Sequence, residues 1–273
     1  MDDILIATEG KLKQHQQEVA RVLKKLQDND LFLKPEKCSF HVKEVEYLGV
    51  IVGQGKVKMD PVKVKSIKDW PVPTTLREVR SFLGFGNYYK DFIRNYSHCA
   101  RPLHELTKKK SIWQWSDKEQ QAFETLKAKF LSYSVLRNPD PTKRYILDTD
   151  ASAFATGATI SQDFSDGQHP IIYFCKSLNS AERNYDIYDR ELLAIINAIK
   201  AFRYLLLGAQ QKFLIRTDHK NLKYFKSPQK LTARQAHVGI TGLNVCGKTS
   251  GIMGGCGQTR EERGNVDTCT IYQ

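Results

Sequence analysis

An ordered series of apolar runs between residues 144 and 217 constrains the fold more than any other feature of the chain. Three short runs rich in β-branched and aromatic residues are followed by one long amphipathic run and then a fourth short run. The long run predicts a helix that begins at a capping box formed by Asn179 and Glu182 and reaches Leu207. The short runs predict strands over 145–149, 156–162, 170–175 and 212–217. This order predicts a mixed sheet with its helix on one face, an α/β (α+β) fold.

Carboxylates mark the ends of two of these strands. Asp150 ends the first and Asp218 the fourth, while Glu191 shares a helix face with the small residues Ala194 and Ala198. If the two strands are neighbours, the three carboxylates meet and require a cation, and hard divalent ions prefer oxygen ligands. Two such ions about 4 Å apart can support phosphodiester cleavage. The alternative is ordinary: Asp often caps a strand end, and Glu in a helix is often solvated.

The charge distribution indicates a polyanionic partner. The formal net charge is +12, and none of the excess lies after residue 235. Between residues 60 and 110, basic side chains alternate with aromatic ones, which suits a groove along a phosphate backbone. The alternatives are a solvated basic surface and an aromatic helix core. The candidate nucleic-acid-binding residues are Lys63, Lys65, Arg77, Arg80, Tyr88, Tyr89, Lys90 and Arg94.

Other patterns predict the remaining elements. An amphipathic stripe predicts a helix over 11–30, and the apolar run 45–52 predicts a strand that enters a hairpin at Gly53 and Gly55. Helical periodicity returns after Thr75, which forms a candidate capping box with Glu78. A further helical connector is predicted over 116–131.

No run approaches the roughly 18 apolar residues of a membrane span, and the N-terminus lacks the layout of a signal peptide. The six cysteines form no CxxC pair, which favours free thiols in a reducing compartment. We therefore expect an intracellular protein, cytoplasmic or nuclear and not secreted, with no membrane partner and no small-molecule cofactor.

Several motifs, in a fixed order, resemble the Pol polyprotein of gypsy-type LTR retrotransposons. The resemblance runs from Met1 to about Ala236 and is carried by the strings MDDILIAT, SFLGFGNYYKDFIRNYS, YILDTDASAFATGATISQ, YFCKSLNSAERNYDIYDRELLAI and IRTDHKNLKYF. It implies a partial reverse-transcriptase palm and helical thumb, followed by an incomplete ribonuclease H-like mixed sheet. A related retroviral or pararetroviral Pol would imply the same chemistry.

The opening string resembles the family's YxDD polymerase box without its Tyr. On that resemblance, Asp2 and Asp3 are palm carboxylates that hold magnesium, and their third partner lies upstream of Met1. We expect no polymerisation by this chain alone, and the missing part of the polymerase becomes a candidate partner. The connection and thumb, residues 59–112, are expected to hold a template–primer duplex.

The resemblance also implies a ribonuclease H function. Asp150, Glu191 and Asp218 match the family's carboxylates, which cleave the RNA of an RNA–DNA hybrid using two magnesium ions. His219 matches a family His that is expected to orient or pack rather than titrate. The implied order is a palm remnant over 1–58, connection and thumb over 59–112, a helical connector over 113–139, the ribonuclease H-like domain over 140–235, and an aberrant tail over 236–273.

The tail departs from the family after Ala236. It holds eight of the 17 glycines and is expected to be disordered. His237-Val238-Gly239 can be encoded by CAC-GTT-GGN, which read two nucleotides later gives the family's Arg-Trp. The hypothesis is therefore an out-of-frame tail, with truncation at both ends. The sheet would then lose its last strand, leaving an unpaired edge, and the site would lose its fourth carboxylate.

Three functions follow from these observations: an impaired ribonuclease H-type nuclease, a catalytically inactive nucleic-acid-binding remnant, and an inert fragment of a decayed element.

Overall fold

The computed structural model describes residues 3–8, 10–109 and 111–217, together with the backbone of two strands at 245–248 and 269–272. The chain forms two compact units, residues 1–63 and 64–273, and each is described by itself. Within the described ranges, no helix combines the length and apolarity needed to span a bilayer.

The first unit contains one helix and an antiparallel three-stranded meander. The predicted helix is present as α1, Leu12–Gln27, with Val19 buried on its apolar stripe. A short 3-10 turn, Pro35–Lys37, precedes the strands. The meander consists of β1 Glu44–Tyr47, β2 Val50–Gly53 and β3 Lys56–Met59.

The prediction of one strand over 45–52 is wrong, because a tight turn divides it. Leu48 and Gly49 both have positive φ, 48° and 71°, and Tyr47 pairs with Val50 across them. Two-residue hairpin loops require this backbone, since its twist matches that of the strands. The residues on both sides of this turn are apolar, so the composition of the segment gives no sign of the turn. The predicted turn around Gly55 is present.

The second unit begins with helices. Thr75 caps helix α3, Leu76–Tyr88, by accepting a hydrogen bond from the Glu78 N–H at 3.3 Å, but the Glu78 carboxylate accepts from the Thr74 N–H at 2.7 Å. Ser116 and Glu119 form a complete capping box at the predicted connector. The helices are α2 Pro61–Lys68, which starts in the first unit, α3 Leu76–Tyr88, α4 Tyr96–Leu106 and α5 Asp117–Leu131, with a 3-10 turn at Lys90–Phe92.

Aromatic rings form the core between these helices. Phe82 and Phe123 are fully buried, and their ring centroids lie 4.7 Å apart. Phe85 of α3 contacts Phe130 of α5 at 5.7 Å. These aromatics therefore stabilise the helical packing, the alternative that the sequence left open.

The predicted mixed sheet follows. Strands β5 Tyr145–Ala151, β6 Ala155–Phe164 and β7 Gly167–Ser177 are antiparallel, and β8 Phe213–Arg216 lies on the other side of β5 and parallel to it. The first and fourth predicted strands are therefore neighbours, the condition under which the carboxylates at their ends were expected to meet. The short strand β4, Leu136–Arg137, precedes this sheet and is not one of its strands.

Two strands from the tail extend this sheet. Strand β10, Cys269–Tyr272, pairs in parallel with β8, and β9, Val245–Lys248, pairs with β10. The expectation of an unpaired edge at β8 is therefore wrong, and the tail has regular structure at these eight positions. The rest of the predicted tail lies outside the described residues.

The long helix begins later than predicted. Asn179 and Glu182 do exchange hydrogen bonds of 2.8 Å, but the turn that they close leads only into a short 3-10 turn, Glu182–Asn184. Helix α6, Ile187–Ala201, is capped by Asp186, and α7, Arg203–Leu206, follows it. A capping box specifies the start of a helical turn but not how far the helix continues, which explains the error.

Candidate active site

Alternation along β5 separates its apolar and acidic side chains. Leu147 is fully buried in a core with Leu192 and Ile195 of α6. Successive side chains of a strand point to opposite faces, so Asp148 and Asp150 lie on the face opposite this core. The common face follows from their spacing of two residues along the strand.

Two adjoining hollows lie over the acidic face, and together we call them the carboxylate hollow. The first is lined by Asp150, Ser152, Ala155, Thr156, Gly157 and Cys175 of the sheet region and by Asn95 and His98 of the helical region. The second is lined by Asp148, Thr149, Asp150, Gly157, Ala158 and Thr159, and by Arg94 and Asn95. A stretch of chain at the start of α4 thus faces the two aspartates.

The two aspartates have different surroundings. Asp148 is half-buried, and burial raises the pKa of its carboxyl, an effect that the positive charges of Arg216 and Arg94 partly offset. The Arg216 Nη1 lies 3.9 Å from the Asp148 Oδ1. Asp150 is exposed in the same hollow, so its carboxylate is accessible to a ligand from solvent.

Glu191 lies on a helix that packs on the sheet. It is 5% exposed, and Ala194 and Ala198 on the same helix face are buried, as their spacing predicted. Glu191 lines neither part of the carboxylate hollow. Among the described residues, no three His, Cys, Asp or Glu side chains are close enough to hold a metal ion. The convergence of three carboxylates therefore stays a prediction.

Other predicted site residues lie partly outside the described ranges. Asp218 and His219 are outside them, as is Asp2, while Asp3 is described and exposed. Along the sequence, Asp218 follows Arg216 by two positions, as Asp150 follows Asp148. Strands β5 and β8 pair Asp148 with Arg216.

Most of the predicted nucleic-acid-binding residues are exposed. Arg77 and Arg80 lie three positions apart on α3 and so share one face of the helix. Tyr88, near the end of this helix, is 57% exposed. The other exposed members of the set are Lys63, Lys65, Lys90 and Arg94.

Tyr89 requires a correction. Its side chain is 2% exposed, and its ring contacts Phe85 at a centroid distance of 5.0 Å and Phe92 at 6.2 Å. A ring buried in this way has no face for a nucleobase, so Tyr89 is a core residue. Tyr88 and Tyr89 point in different directions because they are successive residues at a helix end.

The sequence interpretation missed Asn95 and His98, which line the first part of the carboxylate hollow. Asn95 has φ 58° and ψ 33°, in the left-handed region that Asn tolerates better than most residues. The only local signal for this position was an Asn, a residue type that tolerates the left-handed region, immediately before Tyr96 and Ser97. The approach of Asn95 to the sheet depends on tertiary packing, which sequence periodicity does not report.

Comparison with known families identifies two segments. Residues 1–52 match the family described as reverse transcriptase (RNA-dependent DNA polymerase). Residues 115–215 match the family described as the RNase H-like domain found in reverse transcriptase. Both families use divalent metal ions in general.

Relatives cover most of the chain. A retrovirus-related Pol polyprotein from transposon 297 of Drosophila melanogaster is 41% identical over 225 residues, 82% of this chain. The transposon Tf2-3 polyprotein of Schizosaccharomyces pombe is 36% identical over 81% of the chain. Over most of its length the chain is therefore similar to retrotransposon Pol polyproteins. It spans 21% and 17% of the lengths of these relatives. The resemblance found in its motifs is confirmed.

A solved structure has a similar fold. The foamy viral protease-reverse transcriptase in complex with RNA/DNA hybrid superposes with a TM-score of 0.67 at 19% identity. The superposition covers 87% of this chain and 33% of the viral chain. The predicted fold class, a reverse-transcriptase fold with an RNase H-like sheet and helices, is confirmed.

Proposed function

We propose that this chain carries a ribonuclease H-type nuclease that cleaves the RNA strand of an RNA–DNA hybrid. The carboxylates would be Asp150, Glu191 and Asp218. The observation that supports this most directly is Asp150, exposed in an open hollow on a strand that pairs in parallel with β8. Asp218 follows β8 in the sequence, and the matched family is RNase H-like over these elements.

Magnesium is the proposed cofactor, as two ions. Asp150 and Glu191 offer oxygen ligands, which magnesium prefers, and Asp150 is accessible from solvent. Asp148 is a neighbour rather than a ligand in this proposal, because Arg216 lies beside it. Bound divalent ions would supply an activated water and neutralise the charge on the leaving oxygen. The contribution of the chain itself is to orient the hybrid at Asp150.

The proposed partner is an RNA–DNA hybrid or a template–primer duplex. The exposed basic residues of α2, α3 and the 90–94 segment could follow a phosphate backbone. Residues 59–112 would then be the connection and thumb. The similar viral protein was solved with an RNA/DNA hybrid, which is consistent with this assignment.

For residues 1–58 we propose a palm remnant in which Asp2 and Asp3 are polymerase carboxylates. The reverse-transcriptase match over 1–52 supports it. Nucleotide addition needs further metal ligands and a nucleotide site. The proposal is that such activity depends on other parts of a Pol polyprotein as partners.

The nuclease is tested with a labelled RNA–DNA hybrid and magnesium. We expect RNA cleavage by the unmodified chain, and its loss in Asp150→Asn and in Glu191→Gln. Asp163→Asn is a matched control, because Asp163 is an exposed aspartate on β6 that lines neither part of the hollow. Equal cleavage by Asp150→Asn and Asp163→Asn would refute the assignment.

A second candidate function is hybrid binding without cleavage. It is favoured by the exposed basic residues of the helical region. Binding that weakens steeply with salt, without RNA cleavage at any magnesium concentration, would identify this function.

A further inference from the structure

The Asn95 carboxamide is available for a ligand. The residue begins α4 in the left-handed conformation, yet its side chain makes no capping hydrogen bond to that helix. Nor does it form a hydrogen bond with any other residue in the described part of the chain. An exposed amide that performs no structural bonding, at the edge of a carboxylate site, is free to contact substrate.

Gly157 allows Asn95 to approach the sheet. In the β5–β6 ladder Gly157 is the direct partner of Asp150. A Cβ placed on Gly157 would lie 3.0 Å from the Asn95 Oδ1, closer than side chains normally pack. Asn95 therefore lies over the backbone directly opposite Asp150, and the absence of a side chain at residue 157 makes room for it.

Two contacts anchor the start of α4 to the sheet region. The Ser97 hydroxyl donates a hydrogen bond to the Cys175 Sγ at 3.0 Å. One turn later, the Arg101 guanidinium lies 3.3 Å from the centroid of the Phe154 ring, within the range of a strong cation–π interaction. The contacts of Ser97 and Arg101 thus hold Asn95 and His98 beside the hollow.

The two walls of the hollow are complementary in chemistry. On one side are the Asp148 and Asp150 carboxylates, and on the other are the side chains of Arg94, Asn95 and His98, which can donate hydrogen bonds. A phosphodiester accepts hydrogen bonds from donors and reaches carboxylates through divalent ions. The space between these walls therefore suits a nucleic-acid backbone better than an apolar or cationic ligand.

We propose that Arg94, Asn95 and His98 form a strand-positioning wall of the carboxylate site. In it, Asn95 donates a hydrogen bond to the sugar–phosphate backbone of the strand presented to Asp150. The inference rests on the proposed nuclease function and adds a contribution from the helical region, outside the matched RNase H-like segment. Helix α4 thus connects the duplex-holding part of the chain to the site of cleavage.

The test uses two variants that preserve the backbone. Asn95→Gly removes the carboxamide but suits positive φ, and Asn95→Asp keeps shape and conformation while adding a charge that repels phosphate. Binding of a fluorescent RNA–DNA hybrid is measured by anisotropy without added divalent ions, so that no cleavage intervenes. We expect affinity to fall roughly tenfold in Asn95→Gly, the loss of one hydrogen bond to a charged group, and further in Asn95→Asp.

A matched control is Asn184→Gly, since Asn184 is an exposed Asn that lines neither part of the hollow; it should bind as the unmodified chain does. In cleavage assays, Asn95→Gly should raise KM more than it lowers kcat. Unchanged affinity and KM in both Asn95 variants would overturn the inference while leaving the nuclease intact. Failure of the unmodified chain to bind hybrid would overturn the nuclease and this inference together.

Discussion

The two faces of the β5–β6 pair differ sharply although the same strands supply both. On one face, Leu147 and Ile160 are fully buried against α6. On the other, Asp148 and Asp150 line an open hollow below the start of α4. The first face holds the fold together, and the second carries the candidate chemistry. Because successive side chains of a strand point to opposite faces, a single strand can supply both the buried core and the candidate site.

The largest expected effect tests the buried face. Leu147→Ala removes side-chain volume from a fully buried site and should lower the free energy of unfolding by about 2–5 kcal/mol. Urea denaturation measures it. Asp150→Asn, three positions along the same strand but on the exposed face, should change stability by no more than about 0.5 kcal/mol. Similar losses in both variants would show that the two faces are not distinct.

The second prediction concerns the approach of α4 to the acidic face. Gly157→Ala places a Cβ 3.0 Å from the Asn95 Oδ1 and should destabilise the chain by about 1–2 kcal/mol, because the Asn95 side chain must shift to relieve the contact. The double variant Gly157→Ala/Asn95→Gly should recover most of this loss, since the contact is then absent. Chemical denaturation of the four members of this cycle measures the coupling. Additive losses would contradict the contact.

A smaller effect should follow from loosening the anchor of α4. Arg101→Met removes the cation–π contact with Phe154 and the 2.9 Å ion pair with Glu105, and should cost about 1 kcal/mol. Arg101→Lys keeps the charge and should cost less. Thermal unfolding measures both. If Arg101→Met changes neither stability nor hybrid affinity, the Arg101 contacts do not hold the start of α4 beside the carboxylate hollow.

The smallest effect concerns charge in the segment that precedes Arg94. Burial raises the pKa of the Asp91 carboxyl, partly offset by Lys90. A raised pKa favours the protonated acid in the folded state, so the contribution of Asp91 is favourable at acid pH and is lost as pH rises through its folded pKa. Asp91→Asn should therefore stabilise the chain slightly at pH 7 and not at pH 3. A stabilisation independent of pH would contradict this cause.

Sequence patterns predicted the buried face of the β5–β6 pair better than the face that carries Asp148 and Asp150. The strands and the face shared by Glu191, Ala194 and Ala198 follow from local periodicity, and the structure contains them. The parallel pairing of β5 with β8 does not follow from local periodicity. The start of α6 was misplaced because Asn179 and Asp186, seven residues apart in the sequence, each accept a hydrogen bond from the N–H three residues later. The local sequence does not show which of two neighbouring caps begins the long helix.

The arrangement of the face that carries Asp148 and Asp150 depends on contacts between distant parts of the chain. Asn95 meets Gly157 only after α4 packs on the sheet, and neither residue has an unusual local pattern. Tyr89 was misassigned for a related reason: an aromatic residue among basic ones fits both a groove and a core, and only packing decides between them. Family resemblance indicated the carboxylates but not the wall that faces them.

The parallel pairing of β5 with β8 also affects when the site can form. Ile146 pairs with Leu214, and the whole of β6, β7 and α6 lies between them in the chain. Parallel neighbours need such a crossover, and contacts between distant residues form slowly during folding. A growing polypeptide would therefore complete its helical region well before β8 reaches β5. The proposed nuclease site would therefore be completed late in synthesis, after the helical region had already folded.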